Sequence, residues 1–197
     1  METRYAPIPA RLMRAGTVVR QPVVEATARV QPGDPAISVM TDLRQVAAVL
    51  VDPDVDIEAA LRIMIRRNVR SLFVVDVENE IVGLITATDL MGEKPMQHVV
   101  RYGGRRGDIR VRDLMTPRAR LEVLPLADVE HARVGHVLAT LKLAGRQHAI
   151  VVEEDRQGHE VVRGVFSTTQ LEKQIGEAVP VDAPARTFAE IEAALSR

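Results

Sequence analysis

Apolar positions along this chain alternate between short unbroken runs of strand length and longer stretches with helical spacing. Val46 to Val51 is an apolar run that stops at Asp52-Pro53-Asp54, which predicts a short buried strand ended by a turn. Ile57, Ala60, Leu61 and Met64 then fall at i, i+3, i+4 and i+7 and form the apolar stripe of a helix. Asp56 is placed to cap that helix, Glu58 sits favourably beside its dipole, and Arg62, Arg66 and Arg67 occupy its polar face. Leu72 to Val75, the polar turn Asp76 to Glu80, and Ile81 to Ile85 predict a strand–turn–strand hairpin. Thr86 to Leu90 can begin another helix.

The second half repeats this order. Leu121 to Leu124 is strand-like, Pro125 to Asp128 reads as a turn, and Val134, Val137, Leu138 and Leu141 restore the helical stripe, which Gly145 ends. Ala149 to Val152 and Val161 to Phe166, around the polar Glu153 to Glu160, predict a second hairpin, and Ser167 to Ile175 a closing helix. Met40-Thr41 aligns with Met115-Thr116, Val74-Val75-Asp76 with Val151-Val152-Glu153, and Gly83 to Thr86 with Gly164 to Ser167. The chain is an internal duplication of a β-α-β-β-α unit, an α/β (α+β) architecture. Units of this size are marginal alone, so the two are expected to pack on each other.

The boundaries that follow are an irregular, proline-bearing arm over residues 1–36, repeat 1 over 37–92, an Arg/Gly-rich linker over 93–108, repeat 2 over 109–176, and a tail over 177–197. In the tail Phe188, Ile191, Ala194 and Leu195 suggest a short amphipathic helix.

Composition narrows the chemistry. The 197 residues carry 26 basic and 27 acidic side chains, so no global basic field favours nucleic acid, and aromatics at 3% supply few stacking platforms. The absence of cysteine removes disulfides, thiol catalysis and thiolate metal sites. No apolar run approaches the ~18 residues of a membrane span, and Met1 to Ala10 has no signal-peptide core, so a cytoplasmic location is expected.

Val39-Met40-Thr41 and Asp113-Leu114-Met115-Thr116-Pro117 open the repeats, and a glycine, two apolar residues and Thr86-x-x-Asp89 or Ser167-x-x-Gln170 close them. In this combination the chain resembles a tandem pair of cystathionine β-synthase (CBS) domains, a Bateman module of the stand-alone bacterial type. The resemblance implies pseudo-twofold repeats with their sheets packed together and a cleft for an adenosine-containing ligand such as AMP, ADP, ATP or S-adenosylmethionine. It also implies homodimers, a regulatory and energy-sensing role, and an effector protein that the sequence does not identify.

Carried onto this sequence, the resemblance places Asp89 on the ribose diol, Thr86 and Thr88 near ribose or phosphate, and Arg70 on phosphate. His148, beside the same cleft, is expected to help bind phosphate by charging near neutral pH. The base would lie against apolar strand edges near Val46 and Leu72. Ser167, Thr169 and Gln170 are the matching positions of a second site. An ionised carboxylate suits a diol because it accepts from both hydroxyls, so Gln170 in its place predicts a weaker or altered second site. Both tetrapeptides also read as helix caps; Ser167-x-x-Gln170 matches a capping box outright and Thr86-x-x-Asp89 is its shorter relative. On that reading the chain is a ligand-free interaction or dimerisation module.

Little else in the sequence points to chemistry. His131 and His136 are about 140° apart round a helix of ~3.6 residues per turn and cannot share a metal. The linker arginines Arg101, Arg105 and Arg106 read as a solvated connector or a phosphate-facing loop, and RNA is not the expected partner. Met40, Met64 and Met115 read as core filling. No nucleophile–base arrangement, Walker loop or metal cluster assembles, so catalysis and an obligatory cofactor are not expected.

Overall fold

The computed structural model describes residues 12–14 and 29–176; the remainder of the arm and the expected tail helix lie outside the described residues. The chain runs β1 (Thr41–Asp42), β2 (Leu50–Val51), α1 (Ile57–Arg67), β3 (Ser71–Val75), β4 (Ile81–Thr86), α2 (Ala87–Met91), α3 (Lys94–Tyr102) and α4 (Val111–Leu114). It continues through β5 (Thr116–Pro117), β6 (Val123–Pro125), α5 (Leu126–His131), α6 (Val134–Ala144), β7 (His148–Glu154), β8 (Glu160–Ser167) and α7 (Thr168–Ile175).

The helical stripes fold as their spacing dictates. In α1 the Asp56 carboxylate accepts from the Ala59 N–H, Ile57, Ala60 and Met64 are buried, and Asn68 in the left-handed region ends the helix. In α6 Val134, Val137 and Leu141 are buried, and Gly145 at φ 59° closes it. The apolar run before α1 is different, because only Leu50–Val51 is strand and Val46 lies in the turn after β1, its N–H donating to the Asp42 carbonyl. Pro125 precedes a helix rather than a turn, since proline has no N–H to lose at a helix start and Asp128 follows in the first turn. The expected linker loop over 93–108 is largely helical as α3.

Two four-stranded sheets result, ordered β2-β3-β4-β5 and β1-β8-β7-β6. Each opening strand therefore joins the other repeat's sheet: β1 pairs with β8, and β5 with β4. The segments leading into these strands follow them. Ala36 N–H donates to Ala132 O and Val134 N–H to Asp34 O, while Ile57 N–H donates to Ile109 O and Val111 N–H to Val55 O. Boundaries drawn from the sequence repeat thus differ from the packed units, which exchange residues around 34–42 and 109–117.

Strand alternation assigns each sheet two buried faces. Leu72, Val74 and Ile85 face α1 and α2 in one core, and Val151 and Phe166 face α6 and α7 in another. The opposite faces meet each other, with Phe73 and Leu84 packed on Ile150 and Val152. At roughly 2 kcal/mol for each buried large apolar side chain, this shared layer stabilises the packing of the two repeats on each other.

Candidate functional site between the repeats

Asp89 is a fully engaged carboxylate. Its Oδ2 accepts from the Thr86 N–H at 2.8 Å and the Thr86 hydroxyl at 2.7 Å, and the Thr86 hydroxyl oxygen accepts from the Asp89 N–H at 3.2 Å. This is a reciprocal capping box at the start of α2. The other oxygen, Oδ1, holds the Lys94 ammonium at 2.6 Å. The residue is only 9% exposed, so a ligand would meet one edge of a carboxylate already fixed in orientation.

The second repeat supplies the opposite wall. The Thr88 hydroxyl donates to Gln147 Oε1 at 2.9 Å, a bond that crosses from one repeat to the other. Arg70 stands beside the start of α2, its carbonyl accepting from the Ala87 N–H at 2.8 Å. His148 lies close enough to both Arg70 and Asp89 to feel their charges. Burial, and then the Arg70 guanidinium, hold its pKa down at about 4, while Asp89 pulls weakly the other way. The ring is therefore neutral at neutral pH, which corrects the expectation that it is charged there. Its Nδ1 is buried and has no hydrogen-bond partner.

Residues 36–95 match the family model of the CBS domain. That stretch is similar to a CBS domain. Its fold is similar to an uncharacterized conserved protein from Pyrococcus horikoshii, at TM-score 0.51 and 22% identity over 72% of this chain and 92% of that one. A CBS-domain-containing protein from Agrobacterium tumefaciens is similar at TM-score 0.50 and 19% identity, covering 67% of this chain and 88% of that one. CBSX2 from Arabidopsis thaliana, solved in complex with AMP, has TM-score 0.46 and 20% identity over 71% and 93% of the two chains. No curated protein sequence matches the chain.

The second repeat follows the first strand by strand, with α5 added between β6 and α6. Ser71 faces Thr86 across β3 and β4 as His148 faces Ser167 across β7 and β8, and the Thr168 N–H donates to Gln147 O as Ala87 N–H does to Arg70 O. The chemistry of the two closing motifs is nonetheless unequal. Ser167 makes no side-chain cap bond, although its tetrapeptide fitted the capping pattern better, and Gln170 is exposed. Gln170 has the reach to cap but a neutral amide holds a backbone N–H less firmly than a carboxylate.

Two expected contacts with the base are not available as drawn. Leu72 has no exposed surface and belongs to the core with Ile57 and Met64, because alternation along β3 turns it toward the helices. Val46 is 49% exposed, but in a turn rather than on a strand edge. The apolar residues on the side of β3 and β4 that faces the other repeat are Phe73 and Leu84.

Lys94, the ion-pair partner of Asp89, is the candidate-site residue that the sequence pattern missed. It lies in a segment whose inward apolar side is only Pro95 and Val99, although Pro95 just inside the helix start was a signal for α3. A groove of about 510 Å³ lined by Pro125, Leu126, Val152, Glu130, Glu154 and Glu160 lies at the other end of β7 from His148. Its glutamates repel anions. Among the described residues no group of three or more His, Asp or Glu is placed to hold a metal. No helix among them is long and apolar enough to cross a membrane.

Proposed function

We propose that this CBS-domain pair is a regulatory sensor that binds an adenosine-containing nucleotide in the seam between its repeats and transmits occupancy by a change in their arrangement. The observation that carries this reading is the meeting of Asp89, Thr86 and Thr88 with Arg70, Gln147 and His148 from two repeats at one place. Asp89 is the diol acceptor, Thr88 a hydroxyl that reports on the seam, and Arg70 the exposed cation for phosphate. His148 enters as a neutral donor or acceptor. Because Thr88 and Gln147 bond across the seam, a ligand inserted between them shifts the balance between repeat arrangements by its differential affinity. The protein acts on this reading as a cytoplasmic regulator of another protein without an obligatory cofactor, working as a homodimer, with AMP, ADP, ATP or S-adenosylmethionine as the signal.

One observation favours a second reading, a ligand-free assembly module. Every polar atom of the Asp89 carboxylate already has a partner within the chain. A thermal-shift panel of AMP, ADP, ATP and S-adenosylmethionine separates the two readings. A ligand at 100 times its dissociation constant stabilises by about 2.7 kcal/mol. A shift with at least one of them supports the sensor; silence with all four supports the assembly module.

A further inference from the structure

The Thr86 cap consumes Asp89 Oδ2, which leaves Oδ1 as the acceptor a ribose diol has to use. That atom is held at 2.6 Å by Lys94 Nζ, the first residue of α3. The same ammonium donates to the Leu114 carbonyl at 3.2 Å, so it ties Asp89 to both α3 and the end of α4. Leu114 directly precedes Met115, which packs under Gly83 in β4. The ammonium is partly shielded, its side chain 38% exposed against 12% for Asp89, and a charge-assisted bond of this length is among the stronger ones.

We propose that Lys94 gates the nucleotide seam: it occupies the diol acceptor when the site is empty, and a ligand enters by exchanging it from the Asp89 carboxylate to its own phosphate. This deepens the reading given above and rests on it. The exchange keeps the ammonium paired when the ligand is a nucleotide. An uncharged nucleoside offers no such replacement and has to break the ion pair without compensation. Lys94 is thereby a residue that selects phosphorylated ligands, and its release loosens the first turn of α3, on the segment that joins the repeats.

The test is calorimetric titration of AMP and of adenosine into the full chain, the Lys94→Met variant and the Lys94→Arg variant. Hydrogen exchange of α3 in the unsubstituted protein, with and without AMP, runs alongside. A hydrogen bond to a charged group corresponds to about tenfold or more in affinity. Lys94→Met is therefore expected to tighten adenosine about tenfold and AMP by much less, Lys94→Arg to keep the discrimination, and AMP to speed exchange at the start of α3. Adenosine bound no better by Lys94→Met, with α3 exchange unmoved by AMP, overturns the gate while AMP binding itself leaves the sensor reading standing. Weaker AMP and adenosine binding in Lys94→Met makes Lys94 a plain ligand contact and also overturns it. If no form of the protein binds either compound, both readings fall; if only Lys94→Met binds, the gate is supported in its strongest form.

Discussion

The sulfur of Met40 lies so close beneath Gly164 that a β-carbon on residue 164 would stand 2.5 Å from it. Met40 opens the first repeat and Gly164 lies in the last strand of the second, so the contact crosses the pair. Its counterpart joins Met115 to Gly83, where a β-carbon would stand 2.7 Å from the sulfur and 2.8 Å from the Thr116 carbonyl oxygen. The two glycines are therefore kept bare by the swapped segments.

Alanine at either position should destabilise the pair, by about 1–3 kcal/mol as for other overpacked sites. Gly83→Ala is expected to cost more than Gly164→Ala. The obstacle at Gly164 is a flexible methionine side chain, whereas at Gly83 it includes backbone. Urea denaturation of the two variants checks the order, and equal or negligible losses would show that the swapped segments are loosely held.

The fold was legible where its signal is local. The stripes of α1 and α6 and both hairpins follow from residue spacing, and Asp56 and Gly145 mark helix ends by chemistry that needs no tertiary information. The exchange of β1 and β5 was not legible, because a two-residue strand carries no periodicity and its partner is decided by packing across the pair. Helix α3 escaped for another reason: its inward side is only Pro95 and the partly buried Val99, while Met96 and Val100 are exposed, so little of its apolar surface reaches the core. Asp89 stood out by motif, yet its ion pair with Lys94 depends on that unseen helix. The neutral state of His148 likewise depends on burial and on Arg70, neither of which spacing along the chain reveals.

Acid should weaken the fold through His148. Its pKa falls from 6.5 to about 4 on folding, so between these values the unfolded chain binds the proton and the folded chain does not. Stability from this group is complete above pH 6.5 and is lost as the pH falls toward 4. At about 1.4 kcal/mol per unit the loss approaches about 3 kcal/mol. Melting temperatures from pH 7.5 to pH 4 should fall accordingly, and His148→Gln should flatten the curve in that window. Asp42 and Asp155, whose carboxyls are held below the ordinary 3.8 by hydrogen bonds from neighbouring backbone N–H groups, lose their contributions only at still lower pH.

Arg163 ties the swapped strand β1 to its host sheet. It is 11% exposed, pairs with Asp42 from β1, and lies 3.6 Å from Glu153, which also receives Arg44 at 2.7 Å. Arg163→Ala leaves two carboxylates without the cation between them and should lower the melting temperature clearly. Arg44→Ala, removing a side chain that is 66% exposed, should lower it little. A reversed order in thermal melts would contradict this assignment.

Asp89 has a structural duty as well as the proposed binding one, and the two separate by substitution. Asp89→Ala removes the reciprocal half of the capping box on α2 and the ion pair of Lys94, so it should cost about 1–2 kcal/mol of stability in addition to any binding. Asp89→Asn retains a capping oxygen and should lose less stability while still losing the charged diol acceptor. Equilibrium unfolding together with a nucleotide titration on each variant reads the two effects independently.

The most direct test of the central claim is calorimetric titration of AMP into the intact chain, repeated with Asp89→Asn. The account predicts one principal site per chain, the second at Ser167, Thr169 and Gln170 weaker by about tenfold, and a marked loss of the principal site in the variant. Two equally tight sites, or AMP binding unchanged by Asp89→Asn, would contradict it.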